Sequence, residues 1–159
     1  LNYYTWIDKG YSALASDITC SILIGQLKIY KKINSKRKKL WMNYYNSITK
    51  LNYKSFFNLP QKKIFRNSNF HIFYLVFKSK TKRNNFISFM EKNNIRCVFH
   101  YLPLHKSPAG KKYAINYNEK LINSEKISEC IVRLPLHNHL TKNEQTRVMV
   151  NIKKFLLLK

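Results

Sequence analysis

Acidic side chains are scarce in this sequence: seven Asp and Glu stand against thirty Lys and Arg in 159 residues. So few carboxylates argue against a paired-carboxylate hydrolytic site. Asp8, Asp17 and Glu144 already have helix-cap or loop explanations. Glycine (3) and proline (4) are also sparse, which predicts a chain dominated by helices and strands. There is no Gly-rich phosphate loop, no Ser-His-Asp order with elbow glycines and no HExxH. The five His show no metal-ligand spacing, and His137 and His139 read as surface residues. The three cysteines, Cys20, Cys97 and Cys130, are odd in number and none has CxxC spacing. That excludes a disulfide scaffold and leads us to expect reduced thiols in a cytoplasm. No apolar run approaches the ~20 residues needed to span a bilayer, so no membrane role is expected. The first residues, Leu1 to Trp6, are polar-aromatic and uncharged, with no visible secretory signal. The chain begins without Met, and we expect a truncated or unusually started product.

What is present is apolar and basic. Hydrophobic residues make up 45% and aromatics 14%, enough for one domain with a real core or a piece of a larger protein. The net charge of +23 suggests nucleic acid, a membrane surface or a phosphate-bearing ligand. Its make-up points elsewhere. There are 24 Lys against 6 Arg, with 18 Asn and 16 Ile, residue types that A+T-rich codons favour together. Nucleic-acid readers lean more on Arg. The charge is spread along the chain except at Lys36-Arg37-Lys38-Lys39. Most of it therefore reads as solvated surface, with nonspecific nucleic-acid binding at low salt as a by-product.

Along the chain, residues 1–15 read as an aromatic arm that docks on another domain or subunit. Ser16-Asp17 opens a helix, expected to run to about Leu51 as a strut. Its first half, with Cys20, Leu23, Ile24 and Leu27 widening the apolar face, is expected to be the more deeply buried. Residues 52–69 look irregular. His71 to Phe77 reads as a strand. A helix capped by Thr81 runs from there to about Asn93, then a strand from Ile95 to Phe99. Ala109 to Asn118 reads as a mobile polar stretch. Ser124 opens a helix to about Ile131, with Glu125 at its first position. Val132 to His137 reads as a strand that Pro135 confines to an edge or a strand end. Thr141 and Glu144 form a capping box for a last helix with Val148, Ile152, Phe155 and Leu156 on one face. The sum is an open α/β (α+β) sandwich: a small sheet covered by helices, preceded by a long strut helix.

The segment Cys97 to Pro108 organises the rest. Its apolar start is β-prone, and Pro103 and Pro108 stiffen the loop beyond it. Between the strand end and Pro108 lie His100, Tyr101, His105 and Lys106, polar and aromatic groups on a rigid loop. Taken singly, each is more often a half-buried packing residue than a ligand contact.

Several runs together resemble the sugar-nucleotide aminotransferases, pyridoxal-phosphate enzymes of the aspartate-aminotransferase fold. They are Tyr4-Thr5-Trp6, Asp8 to Ser12, Ser16-Asp17, Gln26-Leu27 and Leu40-Trp41 with Asn43-Tyr44-Tyr45. Val98 to Gly110, Ser124-Glu125 and Arg133 to Leu136 complete the likeness. The resemblance covers essentially the whole chain in order and implies the family's small C-terminal domain over residues 16–159. It further implies transfer of an amino group from glutamate to a 4-keto-6-deoxyhexose on dTDP, with pyridoxal 5'-phosphate held as a Schiff base by a lysine. That lysine belongs to a large domain upstream, which this sequence does not contain. The full enzyme is expected to be a homodimer, and a separately encoded large domain could complete this chain. Residue by residue, Ser12 falls where many members carry Asn on the loop that reaches the neighbouring subunit's cofactor phosphate. Leu14 stands where many have Arg. Tyr101 and His105 fall near the sugar nucleotide and are candidates for lining its pocket; the alternative for His105 is that its ring holds the loop by bonding backbone carbonyls. A rival reading from another class is a small basic protein binding nucleic acid or phosphates, which requires Lys and Arg gathered on one face with aromatics between them.

Overall fold

The computed structural model describes residues 5–61, 68–114 and 120–158. The expectations for Tyr3, Tyr4 and residues 115–118 lie outside them.

Ser16 caps the first helix as expected, its hydroxyl accepting from the Thr19 amide at 3.4 Å. The strut is not continuous, however. It divides into α1 (Asp17–Lys28) and α2 (Tyr30–Ile48) at Ile29, whose φ of −112° and ψ of 10° leave the helical region. There the Ile29 amide bonds the Gln26 carbonyl at 3.1 Å, a tight closure that ends one helix before the next begins. The burial expected of the two halves is reversed. α1 buries none of its residues, whereas α2 buries Trp41, Tyr44 and Ile48. The reason is position: the C-terminal half of α2 lies over the sheet.

Among the described residues the sheet has four strands in the order β1-β2-β4-β3, every neighbouring pair antiparallel. They are β1 (Phe57–Asn58), β2 (Phe73–Phe77), β3 (Val98–Phe99) and β4 (Ile131–Leu134). β2 and β3 therefore run parallel with β4 between them, a split β-α-β arrangement closed by α3 (Lys80–Lys92). β4 is central, so Pro135 does not make it an edge; the proline sits just past its last residue. β3 is shorter than expected. α3 is capped by Ser79, which accepts from the Lys82 amide at 3.2 Å, two residues before the expected Thr81. Its end at Asn93-Asn94 stands, with Asn94 at φ 54°, where Asn is tolerated.

Alternation along β2 turns Phe73, Leu75 and Phe77 into the core, against α2, α3 and α6 (Lys142–Leu157). The packing is largely aromatic. Phe73 meets Trp41 at 4.9 Å and Tyr44 at 5.3 Å between centroids, and Phe86 meets Phe77 at 5.0 Å and Phe155 at 5.1 Å. The polar tips are satisfied: the Trp41 indole donates to the Ile72 carbonyl at 2.9 Å and the Tyr44 hydroxyl to the Pro135 carbonyl at 3.0 Å. Buried Gln145 ties α6 to α2, accepting from Asn43 and donating to the Leu40 carbonyl, each at 2.7 Å. The Thr141–Glu144 capping box forms as expected, and Val148, Ile152 and Phe155 are buried beneath it. α5 (Ile122–Cys130) starts before Ser124, with Leu121 at its N-cap. The stretch expected to be mobile from Ala109 instead forms α4 (Pro108–Tyr113), because Ser107 caps it and Pro108 fits its first turn.

Candidate functional site

At the end of β3 the chain enters the loop that the sequence singles out. Ser107, 1% exposed, fixes its far end. The Ser107 hydroxyl donates to the Leu104 carbonyl at 2.7 Å and accepts from the Gly110 amide at 2.9 Å. A 3-10 turn over Leu104–Lys106 is thereby pressed onto α4. The approach is so close that a Cβ on Gly110 would lie 1.7 Å from the Leu104 oxygen. The prolines thus do not merely stop structure; Pro108 starts a helix.

Tyr101 sits at φ 80°, a left-handed conformation that costs an aromatic residue on the order of 1–3 kcal/mol. The residue is 40% exposed, its ring 4.3 Å from the His100 ring and 5.3 Å from the Arg133 guanidinium. His105 is presented differently. Its side chain is only 12% exposed, with Nε2 3.1 Å from a Glu125 oxygen, while the Lys106 ammonium pairs with the other oxygen of Glu125. Among the described residues the ring therefore holds the loop through a carboxylate on α5 and not through backbone carbonyls. Hydrogen bonds from Lys106 first and His105 second hold the Glu125 carboxyl below its usual range.

Part of the arm docks on its own chain. The Ala109 amide bonds the Trp6 carbonyl at 2.9 Å, and Asp8 accepts from the Tyr113 hydroxyl and pairs with Lys112. Beyond Lys9 the arm is exposed, Ser12 included, with Tyr11 and Leu14 fully so. Among the described residues no hydrogen bond joins Ser12 to Tyr101 or His105, so the three candidates form no single bonded site.

The sequence reading did not count Arg133 among the candidates. It stands opposite Tyr74 on β2 and Val98 on β3, which puts it on the face of the sheet away from the core. A charge inside the apolar run Ile131-Val132-Arg133-Leu134 was the available signal. Partial burial, then the charges of Arg133 and His71, push the His100 imidazole below its ordinary range. Cys97 is inert by contrast: burial pushes its thiol up to about 12.

A sequence model of the DegT/DnrJ/EryC1/StrS aminotransferase family matches residues 2–153. The chain belongs to that family. Uncharacterized protein MJ1066 of Methanocaldococcus jannaschii is 28% identical over 155 residues, covering 96% of this chain and 39% of that protein. The crystal structure of S. venezuelae DesV, in complex with a ketimine intermediate, is similar with a TM-score of 0.80 at 21% identity. That match covers 95% of this chain and 39% of DesV. NtdA of Bacillus subtilis, with bound cofactor PMP, gives a TM-score of 0.76 at 21% identity, over 98% of this chain and 36% of its own. The structural likeness shows the fold: helices with a small antiparallel sheet, as in these aminotransferases. This chain spans about two fifths of the length of the relatives it matches.

Pyridoxal phosphate is the expected cofactor of the family. The residues described here do not build its cradle alone. Every described lysine is exposed, whereas a Schiff-base lysine is held in a desolvated pocket. Among the described residues no cluster of His, Cys, Asp and Glu could hold a metal, and no helix is long and apolar enough to cross a membrane.

Proposed function

We propose that this chain is the small C-terminal domain of a sugar-nucleotide aminotransferase, residues 16–159, preceded by an arm over residues 1–15 from the large-domain or inter-subunit side. The whole enzyme moves the amino group of glutamate to dTDP-4-keto-6-deoxyglucose, the reaction of dTDP-4-amino-4,6-dideoxygalactose transaminase. In it Ser12 meets the cofactor phosphate of a neighbouring subunit, and Tyr101 and His105 line the sugar-nucleotide pocket. The observation that carries the reading is the family match over residues 2–153. The half-exposed Tyr101 ring and the anchored His105 loop support the pocket assignment. A large domain, on the same polypeptide or encoded separately, supplies the Schiff-base lysine. By itself the chain is inactive.

Among the described residues basic side chains do not gather on one face: each of the six described α-helices carries exposed lysine, from Lys28 on α1 to Lys153 on α6. That disfavours the nucleic-acid alternative. The test is to incubate the chain with pyridoxal phosphate, glutamate and dTDP-4-keto-6-deoxyglucose, alone and with a large-domain chain of the family. Amino sugar is expected only in the mixture. Turnover by this chain alone refutes the missing-lysine claim; a mixture that assembles and stays inactive refutes the transaminase reading.

A further inference from the structure

On the face of the sheet away from the core lies a hollow of about 310 Å³, lined by His71, Arg96, Val98, Arg133 and the turn through Pro135. That volume is at the lower end of small-ligand pockets, roughly 300–1,000 Å³. Its charge is one-sided. Two guanidinium groups and an imidazole line it and no carboxylate does. Among the described residues neither Arg96 nor Arg133 takes part in an ion pair. The described carboxylates are engaged elsewhere or lie off this hollow: Asp8 on α4, Glu125 on the loop, Glu129 on Lys80, Glu144 in the last cap.

One lining residue carries a buried nitrogen without a partner: Arg133 Nε makes no hydrogen bond among the described residues. Buried polar groups in native proteins are almost always paired. The Arg133 guanidinium is nevertheless held, 5.3 Å from the Tyr101 ring centroid and on a strand fixed between β2 and β3. His71 is oriented too, with Nδ1 2.5 Å from the Asn69 side-chain oxygen. A fork of donors on a rigid strand, beside a second guanidinium, suits a planar or tetrahedral oxyanion.

We propose that the hollow framed by His71, Arg96 and Arg133 is a binding site for one small oxyanion, a phosphate or carboxylate group of a ligand. Arg133 makes the directed contact, and Arg96 and His71 add charge at the rim. The site stands independently of the aminotransferase reading, because it rests only on groups this chain carries.

The test is isothermal titration of the 159-residue chain, at about 150 mM salt, the physiological screening range, with sodium pyrophosphate and separately with sodium glutamate. One of the two is expected to bind saturably with a stoichiometry of one, and which one names the source of the oxyanion. Arg133→Gln is expected to weaken that binding at least tenfold, and Arg133→Lys to restore part of it. Should Arg133→Gln disturb folding, Arg96→Gln, at an exposed residue, gives the second reading, with a smaller loss. Lys39→Gln, on the exposed surface of α2, is the control and is expected to change nothing. Binding to many equivalent sites, no binding by either anion, or equal loss in Lys39→Gln overturns the proposal and leaves only the diffuse attraction of a +23 protein. None of those outcomes bears on whether a reconstituted mixture transaminates.

Discussion

Tyr101 is held out of its preferred backbone region between a histidine and an arginine, and the consequences are local. His100 is partly buried and feels Arg133 and His71, so the folded chain takes up its proton less readily than the ordinary 6.5. The unfolded chain therefore binds that proton first as pH falls. This stability contribution is present above 6.5 and is lost down to the lowered folded value. A proton NMR titration of the five histidines is expected to find His100 titrating below 6.5, and to find its pKa rising in Arg133→Gln. A His100 that does not move in that variant removes Arg133 as a cause. Glu125 works in the acid range. Its lowered carboxyl pairs with Lys106 and His105, so the tie holds above the ordinary 4.5 and fails as pH falls through the folded value. In Glu125→Gln the amides of residues 101–107 are expected to exchange faster near neutral pH than in the parent chain. Equal exchange would show that Ser107 and the prolines hold the loop unaided.

Elements are positioned here by a few close approaches, and α4 shows it best. Gly110 has an ordinary backbone conformation, so its value lies in lacking a Cβ where the Leu104 carbonyl comes in. Gly110→Ala is expected to cost about 1–3 kcal/mol by overpacking. Denaturant unfolding checks the size, and an unchanged midpoint contradicts the packing account. This contact also explains what the sequence could and could not tell. β2, the capping box of α6 and the Asn93-Asn94 stop were legible because each rests on neighbours in sequence. α4 was not, because Ala109 and Gly110 are ordered by the Ser107 and Leu104 groups they fold onto. The break at Ile29 leaves no Pro or Gly at the site to announce it. Burial was misread on α1 because an apolar face tells that something covers it, not that this chain does. Arg133 was overlooked because a charge in a strand gains meaning only from what stands beside it across the sheet. The loop residues Tyr101 and His105 were legible as candidates, while the carboxylate that positions His105 comes from 20 residues away.

At the scale of the whole molecule the chain is two unequal parts. From α2 to α6 it has a continuous core, in which Tyr44, Phe57, Phe73 and Phe86 are fully buried. A core of that kind is expected to melt cooperatively, which thermal unfolding of the chain checks. α1 is the other part. Ile18 is 75% exposed, Ile22 60%, Ile24 and Leu27 55%. Contiguous apolar surface of this kind self-associates when it is left exposed. Ile18→Glu with Ile22→Glu removes the two most exposed large apolar groups of that helix and adds acid to a chain that has little, which favours solubility. The parent chain is expected to sediment as concentration-dependent oligomers and the double variant as a monomer. Their melting temperatures are expected to agree within error, because neither residue contributes a buried contact. If the double variant still oligomerises, the sticky surface lies elsewhere, on the arm beyond Lys9. If it melts lower, α1 packs on the core in solution more closely than its exposure implies.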